Sequence, residues 1–78
     1  MLTRSNRKPA ATANLSDLAY KHISDKLLTG QLTPGQKISE PAFARELKVS
    51  RTPVREAILR LQNEGLLMQV PSSGTYVA

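Results

Sequence analysis

Two arginines and a threonine lie within five residues of one another, in the segment 51–55 of this 78-residue chain. The guanidinium groups of Arg51 and Arg55 present planar forks of donors, which match two acceptors at once: phosphate oxygens, or the O6 and N7 atoms of guanine. The hydroxyl of Thr52 can donate to a phosphate or a base. Groups of this kind bind a polyanion, provided that one surface holds them together.

The helix that would hold these groups is expected to begin after Ser50. Ser50 is a favourable N-cap because its hydroxyl can accept a hydrogen bond from a free backbone amide, and Pro53 in the first turn loses no hydrogen bond. One face has the i, i+3, i+4, i+7 spacing of a buried stripe: Val54, Ala57, Ile58 and Leu61. The opposite face is polar and basic: Arg51, Thr52, Arg55, Glu56 and Asn63. The pattern predicts a helix over 51–64.

A lone amphipathic helix is more often an ordinary solvated surface element, so the neighbouring segments decide between the two interpretations. Ser39 is expected to cap a shorter helix that ends at Leu47, with Pro41 in its first turn. Residues 48–49 then form a tight connection to the longer helix. This is the helix-turn-helix order, in which the N-terminal end of the second helix contacts bases.

The flanking segments complete a small domain. Asn14 is expected to cap a first helix that runs to Thr29, with Asp17 as its capping partner. Its apolar positions recur at i+4 and are expected to pack inward: Leu15, Ala19, Ile23 and Leu27. A type II turn at Pro34-Gly35 and a very short strand at 37–38 follow.

Two further strands are predicted directly after the longer helix, where Gly65 stops it. The segments 66–70 and 75–77 flank the turn residues 71–74, which makes a hairpin in the position of a wing. The predicted fold is therefore mainly α with a small β-hairpin, a winged helix-turn-helix of three helices plus wing.

Composition favours a polyanionic partner. Eleven lysines and arginines against six acidic residues give a formal charge of +5 and a pI near 10.1, so nucleic acid is the first candidate. Residues 1–13, with Arg4, Arg7 and Lys8, are expected to be a flexible basic arm, for which an untethered tail is the more common explanation. The DNA-binding domain would then be 14–78.

Several other classes of protein are disfavoured. Without cysteine and with one histidine, the chain offers no disulfide or metal cluster, and His22 is interpreted as a surface residue without a role. His22, Ser24 and Asp25 lie too close on one helix to form a catalytic triad, so no enzyme is expected. The sequence has no apolar run of transmembrane length and no signal peptide, which predicts a cytoplasmic location.

The motifs of the chain resemble those of the winged-helix DNA-binding domain of the GntR family. They are Leu32-Thr33-Pro34-Gly35, Ser39-Glu40, Val49-Ser50-Arg51-Thr52-Pro53-Val54-Arg55-Glu56-Ala57, Glu64-Gly65-Leu66 and Gly74-Thr75-Tyr76-Val77. The Thr52–Glu56 run resembles the FadR-like branch, in which a helical ligand-binding domain follows the wing. The resemblance implies that the chain lacks this C-terminal domain, which would hold any effector or metal; no cofactor is expected here.

The resemblance also implies roles for individual residues. Arg51 and Arg55 match the family's recognition-helix arginines, and Thr52 matches a small polar residue near the backbone or a base. The wing tip would approach the minor groove with Ser72, Ser73 and Gly74. Three positions depart from the family pattern: Pro71-Ser72-Ser73 has no basic residue or histidine, Pro41 replaces an arginine, and Lys48 replaces a turn glycine. Lys48 means either that the turn is strained or that it does not need a positive φ.

The expected partner is double-stranded DNA with a palindromic operator, bound by a homodimer. Arg51 or Arg55 would read a guanine, while other groups near the helix termini hold phosphates: Ser39, Arg45, Lys48, Ser50 and Thr52. The alternative is a winged-helix module that binds an acidic protein. We disfavour it because a protein-interaction face more often offers aromatic anchors.

Overall fold

The computed structural model describes the backbone of residues 7–78 and the side chains of residues 14–78. Three helices and three strands follow one another in this range: α1 (Arg7–Leu28), β1 (Lys37–Ile38), α2 (Glu40–Leu47), α3 (Arg51–Asn63), β2 (Leu67–Val70) and β3 (Gly74–Val77). The strands form one antiparallel sheet. The predicted class, a winged helix-turn-helix that is mainly α, is confirmed.

Helix α1 begins at Arg7, so the predicted cap at Asn14 with its partner Asp17 is wrong. The reason lies in the preceding segment. Its Pro9 falls in the first turn of the helix, where the missing N–H is harmless, and three of the next four residues are alanines, which have the highest helix propensity. The predicted basic arm, 1–13, lies outside the described side chains and, for residues 1–6, outside the described backbone.

The core lies between the helices and the inner face of the sheet. The predicted stripe of α3 is confirmed, since all four residues are at most 5% exposed: Val54, Ala57, Ile58 and Leu61. Ala19 and Ile23 of α1 are fully buried, and Phe43 anchors α2 at 7% exposure. Leu15, however, is 39% exposed. Each step of four residues turns by about 40° around the helix axis. Leu15, at one end of the series, therefore faces away from the core.

The sheet joins the start of the helix-turn-helix to the wing. Its order is β1-β3-β2, and β1 pairs with β3 so that Lys37 lies opposite Tyr76 and Ile38 opposite Thr75. The sequence predicted β1 as a short strand but not its pairing, because two residues carry no signal for partners 39 and 37 positions away. The residues just before α2 are therefore fixed to the wing.

The turns agree with the sequence more closely than the helix ends do. Gly35 has a φ of +85°, as a type II turn requires. Helix α3 ends at Asn63 with Glu64 as C-cap, one residue earlier than predicted.

Along the described part of the chain, no helix combines the length and the hydropathy needed to cross a bilayer.

Candidate nucleic-acid interface

Helix α3 presents two of its three arginines, Arg51 and Arg55, on one exposed face. Arg51 and Arg55 are one helical turn apart, and each side chain is 59% exposed. Thr52 is exposed beside them, whereas Pro53 and Val54 are buried on the opposite side of the same turn. The core contact thus fixes which way the first turn of α3 faces, as the sequence predicted.

Glu40, the first residue of α2, binds both arginines. Arg55 donates from Nη2 to Glu40 Oε1 at 3.0 Å and from Nε to Oε2 at 3.3 Å. Arg51 donates from Nε to Oε1 at 3.4 Å. One carboxylate therefore bridges two guanidinium groups across the junction of the two helices.

Sequence reasoning missed this role of Glu40. An acidic residue at the start of a helix is already explained by the helix dipole, and separations of 11 and 15 residues from the arginines match no helical spacing. The available signal was the helix-turn-helix order itself, which brings the N-terminal ends of α2 and α3 near each other.

Glu40 and the two arginines stabilise each other's charged forms. The Glu40 side chain is 21% exposed, and hydrogen bonds from Arg55 and then Arg51 hold its pKa below the ordinary value despite partial burial. The hydrogen bond to Glu40 raises the pKa of Arg55 in turn. Two positive charges against one negative charge leave this surface basic.

The two predicted caps behave differently. Ser39 Oγ accepts a hydrogen bond from the backbone N–H of Ala42 at 3.2 Å, as expected. Ser50 occupies the cap position of α3 but its side chain makes no capping hydrogen bond, so that expectation is wrong. A capping serine bonds the N–H of the second or third helical residue. The third residue here is Pro53, which has none, so only the N–H of Thr52 remains as a possible donor and Ser50 does not bond it.

Lys48 settles the question of the turn between α2 and α3. It has φ 59° and ψ 44°, the left-handed conformation, and its N–H donates to the carbonyl groups of Ala44 and Arg45. The turn therefore does require a positive φ, and a non-glycine residue there costs about 1–2 kcal/mol. Lys48 is exposed and lies three positions before Arg51, the first residue of α3.

Arg45 is separated from the other candidates on α2. It lies in the last turn of the helix, about 9 Å along the axis from Ser39 by the helical rise of 1.5 Å per residue. The structure thus does not bring Arg45 and Ser39 to a common point. Its contact with a phosphate stays a prediction.

The wing tip has a defined conformation. Ser72 has a φ of 64° and Gly74 a φ of 136°. The hydroxyl groups of Ser73 and Tyr76 are hydrogen-bonded to each other, so the Ser73 hydroxyl is held against β3. The predicted contacts of Ser72, Ser73 and Gly74 with the minor groove stay predictions.

The wing and the arginine cluster border one crevice. Gln62 of α3 donates to the Thr75 hydroxyl of β3 at 3.5 Å. The crevice between α3 and the sheet has a volume of about 190 Å³, and its walls include both elements: Glu40, Arg55, Ile58, Leu59, Gln62, Gln69 and Thr75. The arginine cluster and the two wing strands therefore form one continuous surface.

Helix α3 buries one face, the short helix α2 precedes it, and the hairpin of β2 and β3 follows and packs against it. These elements define the winged helix-turn-helix class. The chain belongs to the GntR family of that class: the sequence profile described as "Bacterial regulatory proteins, gntR family" matches residues 15–77.

Two similar proteins are named as transcriptional regulators. An HTH-type transcriptional regulator from Agrobacterium vitis is 36% identical over 76 residues, which are 97% of this chain and 44% of that protein. The Nta operon transcriptional regulator of Aminobacter aminovorans is 49% identical over 43 residues, 55% of this chain and 20% of that protein. The chain thus spans less than half the length of either relative.

Among solved structures, the DNA-binding domain of AraR in complex with the operator ORR3 superposes with a TM-score of 0.75 and 35% identity. The match covers 82% of this chain and 78% of that domain. The structure of Lar, which is described as controlling the expression of the Listeria monocytogenes agr system, has the same TM-score with 32% identity, over 80% of this chain and 29% of its own.

Proposed function

We propose that this chain is the DNA-binding domain of a sequence-specific transcriptional regulator, and that α3 enters the major groove of an operator half-site. The observation that carries this proposal is the Glu40 bridge, which holds Arg51 and Arg55 together on the exposed face of α3. The operator complex of the similar AraR domain supports it.

The bridge favours base reading because it fixes side chains that are otherwise flexible. A free arginine side chain carries about 2 kcal/mol of rotamer entropy, and contact with Glu40 removes part of it before DNA arrives. Arg51 uses only Nε in this contact, so both of its terminal amino groups remain for the O6 and N7 atoms of a guanine. Arg55 uses Nε and Nη2 and must exchange one of them to make the same contact.

Phosphate contacts would orient the domain on the duplex. The uncapped amides at the start of α3, together with the Ser50 and Thr52 hydroxyl groups, form a suitable anion site. Ser39, Arg45 and Lys48 would contribute on the side of α2, and Ser72, Ser73 and Gly74 at the minor groove. These contacts add affinity without sequence preference.

The whole regulator is expected to act as a homodimer on a palindromic operator in the cytoplasm, because one domain of this kind covers one half-site. The Thr52–Glu56 run supports the FadR-like branch, and AraR among the structural neighbours points to a different branch. In either case an effector-binding domain would set the response, and the relatives are long enough to contain one.

Selection from a pool of random duplexes tests the proposal. The chain is incubated with the pool at two salt concentrations, and the retained duplexes are sequenced. We expect enrichment of one half-site or palindrome at both concentrations. Uniform retention that disappears with salt would overturn sequence reading and favour a basic surface for an acidic protein. Lys21→Ala, which removes a charge from the exposed side of α1, should enrich the same sequence, whereas Arg51→Ala should not.

A further inference from the structure

Lys37 of β1 lies across the wing, against the backbone of Gly74. The two residues are diagonal neighbours on the same face of the sheet, because Lys37 pairs with Tyr76 and Gly74 is two residues before Tyr76. A Cβ atom built on Gly74 would lie 2.8 Å from Lys37 Cε and 3.6 Å from Nζ. The end of the lysine side chain thus occupies the space that any other residue at position 74 would fill.

This placement puts a positive charge beside the wing tip. Gly74 directly follows the turn residues Ser72 and Ser73, and the turn is held to β3 by the hydrogen bond between the Ser73 and Tyr76 hydroxyl groups. Lys37 is exposed. The turn itself, Pro71-Ser72-Ser73, contains no cation, so the lysine supplies from a neighbouring strand what the turn lacks.

The ammonium group is available to an external anion. Four other cations of the domain are paired with carboxylates: Lys21 with Asp25, Arg51 and Arg55 with Glu40, and Arg60 with Asp17. Lys26, Arg45 and Lys48 resemble Lys37 in having no such pair among the described side chains, but none of them is placed at the wing by a strand pairing. Among the side chains that the structure describes, no carboxylate lies within 4.0 Å of Lys37 Nζ. A lysine without a carboxylate partner keeps its full charge for a phosphate.

We propose that Lys37 is the phosphate-binding residue of the wing, and that its side chain lies across the space left open by the missing side chain of Gly74. The ligand is a backbone phosphate of duplex DNA beside the groove that the wing approaches. This inference rests on the proposed function. It assigns the wing's electrostatic contact to β1 rather than to the hairpin turn.

The variant Lys37→Met tests the contact, since it keeps an unbranched side chain of similar length and removes the charge. The slope of log K against log salt concentration should become about 0.9 smaller in magnitude, the value for one phosphate contact with B-DNA. The loss should be equal on selected and random duplexes. Lys21→Met, with the same change in net charge, should keep the wild-type slope, and so should Lys37→Arg.

An unchanged slope for Lys37→Met would overturn the proposal, as would a loss confined to the selected sequence. Because the slope is measured on random duplexes as well, it decides the role of Lys37 even if the chain selects no sequence. Failure of this inference is therefore distinguishable from failure of the proposed function.

The role of Gly74 is tested by the substitution Gly74→Ala, alone and combined with Lys37→Met. The added Cβ should shift the end of the Lys37 side chain, and the φ of 136° at position 74 adds backbone strain. If Gly74→Ala acts on DNA binding through Lys37, the double variant should lose no more of the slope than Lys37→Met alone. Additive losses would contradict the seating of Lys37 on Gly74. Circular dichroism verifies folding, and Lys37→Met decides the phosphate contact independently if the alanine variant is unfolded.

Discussion

Glu40 accepts two hydrogen bonds from Arg55, at 3.0 and 3.3 Å, between the first turns of α2 and α3. The same carboxylate also accepts from Arg51. The pair of helices thus shares an electrostatic contact at the surface proposed for DNA, separate from the apolar contact in the core.

Glu40→Gln should raise the affinity for random duplexes and lower the sequence specificity. Loss of the negative charge weakens the contact with both arginines and adds one unit of net positive charge, so binding to random duplexes should become tighter and more dependent on salt. The ratio of selected to random affinity should fall, because the arginines lose their fixed geometry. Fluorescence anisotropy on the two duplexes measures both effects. An unchanged ratio would contradict the orienting role of Glu40, and Asp25→Asn on α1 controls for charge.

The stabilising contribution of Glu40 should disappear in acid. Its pKa in the folded chain is below the ordinary value because of the hydrogen bonds from Arg55 and Arg51. The contribution is therefore complete above the unfolded pKa of about 4.3 and is lost as the pH falls through the lower folded pKa. In urea unfolding, the stability difference between wild type and Glu40→Gln should be constant from about pH 6 to 8 and shrink below about pH 4. A difference that grows in acid would contradict the assignment.

The two helix-capping serines should differ in their effect on stability. Ser39→Ala removes the hydrogen bond to the Ala42 amide and should cost about 1 kcal/mol of unfolding free energy. Ser50→Ala removes no capping bond and should cost about 0.5 kcal/mol or less. The two variants are matched controls for each other in urea unfolding. Equal costs would mean that Ser50 caps α3 after all.

Lys48→Gly should stabilise the domain although it removes a side chain. The residue has a φ of 59°, and glycine relieves that strain, while its greater freedom in the unfolded chain offsets part of the gain. We expect a net gain of about 0.5–1 kcal/mol. Lys48→Ala keeps the Cβ and should give no gain. A destabilised glycine variant would contradict the strained turn.

The sequence predicts those parts of the fold that depend on one periodic segment. The stripe of α3 and the exposure of Arg51 and Arg55 follow from a period of 3.6 residues with a fixed starting point. The wing follows from turn residues between two short apolar runs. In each case the determining residues are neighbours in the chain, and the structure agrees.

The hydrophobic and turn patterns of the sequence do not indicate contacts between residues that are far apart in the chain. The Glu40 bridge and the seating of Lys37 on Gly74 each join residues whose separation has no periodic meaning. The failed Ser50 cap is different, because Pro53 in the sequence already removes one of the two amides that the serine could bond. The early start of α1 likewise follows from the alanines at positions 10, 11 and 13.

The affinities of wild type, Arg51→Ala, Arg55→Ala and Lys48→Ala for the selected duplex and for random duplexes are measured at one salt concentration. The ratio of the two affinities decides whether α3 reads bases. If Arg51 and Arg55 read bases, each alanine variant should lose about 1–3 kcal/mol on the selected duplex and lose preference at one base pair. Lys48→Ala should weaken both duplexes equally and keep the ratio. Equal losses on both duplexes for the two arginine variants would contradict base reading by α3.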